Sequence, residues 1–199
     1  MRRIIKAKEL RAKKTIALAR WLLGKHLVRR RAHGRLDARE ITEVEAYDGE
    51  RDLACHARFG RTSRNGVMYE PGGTWYVYLC YGVHEMLNLV VGPRDWPAAI
   101  LIRGIKGATG PGRLTKLLGI DRRLNRAKAT ARASGLWLED RGSIVSKRQV
   151  RATPRIGVNY AGPIWAKKPW RFILQPPAAA PVHVEHQTAK GNRASRRAE

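Results

Sequence analysis

The chain has 199 residues, 43% of them hydrophobic, and its 40 Lys and Arg oppose 16 Asp and Glu for a formal net charge of +24. That length suits one domain with its own core, and the composition excludes collagen, low complexity and, with Cys55 and Cys80 the only cysteines, a disulfide scaffold. The longest uncharged run, 71–83, falls short of the roughly 20 residues that span a bilayer; the chain therefore reads as cytoplasmic, with no membrane partner, and its charge points to a polyanion.

Residues 1–16 lack a clear apolar stripe and read as a mobile basic N-terminal arm. Leu18, Trp21 and Leu22 then fall at helical spacing, and Gly24 is a natural C-terminal stop. Segments 26–31 and 38–47 predict two strands joined by a turn at 32–35. The strongest strand signal is 73–91, rich in Trp, Tyr, Val and Leu, with Tyr81-Gly82 marking a turn in its middle. A further strand is expected at 97–105 and a short amphipathic helix at 110–120, where Leu114, Leu117 and Leu118 recur. Short strands are expected at 136–139, 154–159 and 170–174, and 176–199 reads as a disordered Pro/Ala-rich, basic tail. Strands outnumber helices without alternating with them, which predicts one α+β domain over 17–175 around an antiparallel sheet.

Seven of the sixteen acids lie between positions 37 and 52: Asp37, Glu40, Glu43, Glu45, Asp48, Glu50 and Asp52. A surface built only to hold a polyanion would exclude them; an enzyme needing a base beside its substrate would not. On a strand, Glu43, Glu45 and Tyr47 share one face, and His56 follows in a loop. Tyr76 and Tyr78 point one way along their strand, and Tyr81 sits at the turn tip, where an exposed ring suits wedging between bases. Each of these has a plainer reading: an acidic patch facing away from any ligand, a structural histidine, aromatic core packing. Other chemistries lack their marks. Phosphate-binding loops, the deaminase zinc signature and a nucleophile elbow are absent, and Cys55-His56 with Cys80 and His84 does not space a zinc site.

Taken together, EVEAY (43–47), His56, RTSRNGVMYEPGGTWYVYLCYG (61–82), MLNLVV (86–91), ILIRGI (100–105), GPGRLTKLLGI (110–120) and RIGVNYAGPIWAKKPWRF (155–172) resemble, in order, the alkyladenine (3-methyladenine) DNA glycosylases. The resemblance runs from about residue 17 to 173. It implies a curved antiparallel sheet with surrounding helices and a protruding β-hairpin that enters the minor groove. It also implies a monomer that hydrolyses the N-glycosidic bond of damaged purines in double-stranded DNA, with no metal and no cofactor. By position, Glu45 resembles the general base that activates water and Arg103 the residue that helps hold that water. Tyr47, His56 and Tyr78 resemble the base pocket, Asn88 the pocket edge that discourages normal guanine, and Tyr81 the intercalating wedge. The alternative is a non-catalytic basic protein that binds RNA or DNA, which explains the charge but leaves the acids at 37–52 without a role.

Overall fold

A computed structural model describes residues 2–11 and 14–176. Ten strands form one antiparallel sheet: β1 (Arg3–Ile4), β2 (His26–Arg30), β3 (Leu36–Asp48), β4 (Trp75–Cys80), β5 (His84–Val91), β6 (Ala98–Ile105), β7 (Ala108–Thr109), β8 (Leu136–Asp140), β9 (Val150–Thr153) and β10 (Arg171–Leu174). The order is β1-β8-β2-β3-β6-β5-β4, with β10 pairing β3 and β9, and β7 pairing β6. Three helices complete the α+β domain: α1 (Thr15–Leu22), α2 (Pro111–Leu118) and α3 (Gly162–Lys167). Among the described residues no helix is long and apolar enough to cross a membrane.

The thirteen-residue β3 is the spine. Its first half pairs with β2 and its second half lies between β6 and β10. Between the halves the register with β6 slips at Ile41/Glu43 and Glu43/Val44, and such bulges bend a strand and re-aim its side chains. Opposite the slip stands Gly104, where a Cβ would lie 2.9 Å from that of Glu43. The close approach leaves room only for glycine.

Alternation gives the sheet two different faces. Val44, Ala46, Ile100, Ile102, Leu87, Leu89, Trp75 and Val77 join the main core, which Ala19 and Leu22 of α1 and Leu114 and Leu118 of α2 complete. Helix α2 begins at Pro111, whose missing N–H costs nothing in the first turn, and ends at Gly119 with φ +58°. The opposite face presents Glu45, Tyr47, Ala99, Leu101, Arg103, Asn88, Tyr76 and Tyr78, and the loops 49–69 and 154–161 cover it.

Two expectations are corrected. The stretch expected as a mobile arm is docked over Arg3–Leu10: Ile5 and Leu10 are buried, the Ile5 N–H donates to Leu138 O at 3.1 Å, and Arg2 and Arg3 pair with Glu139 and Asp140. Two apolar anchors and the acids of β8 suffice to hold it. The strand expected at 154–159 lies earlier, at β9, because Pro154 has no N–H for a ladder and Gly157 takes φ +74°; 154–158 is loop and Asn159–Ala161 a 3-10 turn. The turn expected at 32–35 is present and joins β2 to β3, which starts at Leu36. The tail expected over 176–199 lies, from 177 onward, outside the described residues.

Candidate active site

A cavity of about 530 Å³ opens on the second face of the sheet, a size suited to a small organic group. Its strand residues follow one register line. Glu45 pairs with Leu101, Leu101 with Asn88, and Asn88 with Tyr76, so these four lie side by side across β3, β6, β5 and β4. Tyr47, Ala99, Tyr78, Met86 and Arg103 line the cavity from these strands, His56, Arg64 and Met68 from one loop, and Ile156, Val158 and Tyr160 from the other.

Glu45 carries no exposed surface. Its Oε2 accepts from Tyr47 Oη at 2.8 Å and its Oε1 from the Ile156 N–H at 2.8 Å, while Arg103 Nε stands 3.4 Å from Oε1. All three partners line the cavity, so the carboxylate sits one layer behind its wall. Burial pushes the Glu45 pKa above the ordinary carboxylate value, while the Arg103 charge, the Ile156 N–H and the Tyr47 hydroxyl pull it back. Burial and the adjacent carboxylate in turn hold Tyr47 well above the usual phenol value, so it stays a donor. Arg103 is shared: its Nε also donates to Glu43 Oε1 at 3.0 Å, and Arg171 donates to the same oxygen at 2.7 Å.

Beyond that layer stands an aromatic cluster. The Tyr76 and Tyr78 rings lie 5.2 Å apart, and His56 packs edge-on to Tyr78 at 4.7 Å, with its Nδ1 3.0 Å from Tyr76 Oη. Burial, with the charges of Arg64 and Arg58, lowers the His56 pKa to about 4, which leaves a neutral ring at physiological pH. The Arg64 guanidinium lies over the Tyr78 ring at 5.2 Å. Asn88, 4% exposed, donates through Nδ2 to the Tyr76 carbonyl at 3.3 Å.

Tyr81 borders the cavity but is 89% exposed at the tip of the β4–β5 hairpin. The Val83 N–H donates to Cys80 O at 3.1 Å, with φ +50° at Tyr81 and +70° at Gly82. Two left-handed central residues mark a type I′ turn, the type that follows strand twist and favours Asn-Gly. A tyrosine in the first position is strained by about 1–2 kcal/mol. At the tip of that turn the ring stands out in solvent.

The acids at 37–52 do not form one patch. Asp37 pairs with Arg31 and Arg39, Asp48 accepts from Thr15 and Glu50 from Tyr69. Asp52 takes a bidentate pair from Arg155 at 2.5 and 2.8 Å, with both side chains fully buried. Of the seven, only Glu43 and Glu45 reach Arg103 at the cavity. The structure thus brings Glu45, Arg103, Tyr47, His56, Tyr78 and Asn88 onto one face and puts Tyr81 at its rim. It adds residues that the sequence reading did not single out for the site: Tyr76, Arg64, Glu43 and Arg155. The Arg155 guanidinium lies over the Tyr47 and Trp170 rings at 4.8 and 5.1 Å and donates to Ala46 O at 2.8 Å. It thereby fixes both Tyr47 and the next residue, Ile156, against Glu45. Of the added residues, Tyr76 and Glu43 carried a signal in the sequence, through alternation with Tyr78 and with Glu45 and Tyr47.

The sequence is similar to known proteins over most of its length. The model of the methylpurine-DNA glycosylase family matches residues 9–108 and 106–177. A protein of Anaeromyxobacter sp. (strain Fw109-5) is 42% identical over 176 residues, 85% of this chain and 88% of its own length. One from Methanocella arvoryzae is 46% identical over 178 residues, 79% and 86% of the two chains, and one from Chlamydia pneumoniae 37% over 183, 81% and 90%. All three are provisionally named 3-methyladenine DNA glycosylases. The chain belongs to the methylpurine-DNA glycosylase family.

Proposed function

We propose that the protein, acting as a monomer, swings a damaged purine out of duplex DNA into this cavity and hydrolyses its N-glycosidic bond, leaving an abasic site. A purine inside the stack cannot offer its sugar carbon to a buried carboxylate. Extrusion costs a few kcal/mol, and less where damage weakens pairing; stacking offsets about 1–3 kcal/mol per base. Tyr47, Tyr78 and Tyr76 supply the rings, Tyr81 fills the gap left in the helix, and Asn88 stands where the 2-amino group of an intact guanine would intrude.

As the bond from C1′ to the base nitrogen opens, the electron pair leaves with the base and positive charge grows on the sugar. The Glu45 carboxylate stabilises that charge and takes a proton from the water whose oxygen bonds to C1′. The geometry parallels an inverting glycoside hydrolysis in which the leaving base occupies the opposite side. A pKa raised by burial makes Glu45 a stronger base, and Arg103, Tyr47 and the Ile156 N–H keep it ionised enough to serve. No lysine lines the cavity among the described residues, which favours hydrolysis over a Schiff-base lyase.

The observation that carries this reading is a fully buried carboxylate, hydrogen-bonded on both oxygens, directly behind an aromatic-walled cavity with an exposed tyrosine at its rim. The test is incubation with a duplex holding one hypoxanthine or one 3-methyladenine, followed by alkali. Scission at the lesion only after alkali is the expected result. Tight lesion binding without release of the base would refute hydrolysis and favour the binding-only alternative.

A further inference from the structure

Between Asp52 and Glu70 the chain runs 17 residues without an acid, and Arg58, Arg61 and Arg64 all fall in that stretch. The loop is pinned from behind. Asn65, 2% exposed, donates through Nδ2 to the carbonyls of His56 and Gly60, both at 2.9 Å, and accepts from the Thr62 N–H at 2.6 Å. Gly60 takes φ +81° and closes a turn through its N–H onto Ala57 O at 2.8 Å. On that turn Phe59 is 82% exposed. A fixed turn thus holds a large apolar ring in solvent.

The neighbours of the ring show what it suits. The Arg58 guanidinium lies over Phe59 at 4.5 Å and over Tyr160 at 5.0 Å. Tyr160 donates to Ala54 O at 2.9 Å and lines the cavity. A row of ring, cation and ring thus runs from the cavity wall out to Phe59. Rings interleaved with cations grip a nucleic-acid strand through stacking and phosphate neutralisation, and the formal net charge of +24 favours a polyanion as the occupant.

We propose that Phe59 is a second DNA-stacking residue, packing on the nucleotide that flanks the extruded one while Arg58 neutralises the adjoining phosphate. This deepens the hydrolytic reading and rests on it. The test measures binding of the full chain to a duplex with a central tetrahydrofuran abasic analogue, for wild type, Phe59→Ala and Phe59→Trp. Phe59→Ala should bind about 5–30-fold more weakly, the equivalent of about 1–2 kcal/mol, with an unchanged melting temperature, and Phe59→Trp should bind within about threefold of wild type. Wild-type affinity in Phe59→Ala would overturn the proposal. So would equal losses in both variants, since a stack tolerates the larger ring, and so would a lowered melting temperature in Phe59→Ala, which would make the ring a structural one. Hypoxanthine excision by wild type and by Glu45→Gln, run in the same series, reports on the hydrolytic reading independently of the Phe59 result.

Discussion

The floor of the cavity and its rim are built in opposite ways. Just behind the floor, Glu45, Asp52 and Arg155 are almost wholly shut from solvent, and every carboxylate oxygen of these acids has a donor. At the rim and beyond it, Tyr81 and Phe59 turn more than four-fifths of their surface to water. Floor residues are locked by the fold, so changing them disturbs chemistry and stability together. Rim residues contribute little to the core, so changing them should alter binding and leave the fold intact. The contrast separates the part that reacts from the part that grips.

The largest expected break in that contrast is Asp52→Asn. It strands the buried Arg155 charge, and removal of one partner from such a pair costs about 3–5 kcal/mol. Chemical denaturation should show that loss, with excision falling too because Tyr47 and Ile156 lose their support; a loss below about 1 kcal/mol would mean that the pair is not structural. Next in size is a pH effect at His56. Its folded pKa is about 4 against an ordinary 6.5, so below pH 6.5 the unfolded chain takes up a proton that the folded chain refuses. Stability should therefore fall as pH drops from about 6.5 to 4, by up to about 3 kcal/mol. His56→Gln should lose that share of the slope, and identical slopes in both proteins would contradict it. The smallest stability change is expected at the rim. Tyr81→Asn relieves the left-handed strain and should stabilise the hairpin by up to about 1 kcal/mol, while affinity for lesion duplex falls about tenfold. A destabilised Tyr81→Asn with normal binding would place that ring in the core.

What the sequence made legible were the features carried by local period. Glu45 and Tyr47 two residues apart on β3, Tyr76 and Tyr78 on β4, and the Tyr81-Gly82 turn all follow from alternation and turn chemistry. What it hid were long-range pairings. Arg155 and Asp52 are separated by 103 residues, and nothing local in RIGVNY shows that its first residue turns inward to an acid. The apolar residues of that segment looked like a strand, yet Pro154 and Gly157 make it the loop that delivers the Ile156 N–H to Glu45. The acidic segment 37–52 was informative for a narrower reason than its density suggested, since most of its members neutralise nearby arginines or accept from hydroxyls. Ile5 and Leu10 were lost among basic residues because their partners lie far along the chain or across the sheet.

The chemistry turns on what one side chain, at position 45, does to water. Its most direct test is single-turnover excision of hypoxanthine by Glu45→Gln, with duplex affinity measured on the same preparation. The rate should fall by about 10²–10⁴-fold with affinity retained. A rate within a few-fold of wild type would show that the proton goes elsewhere.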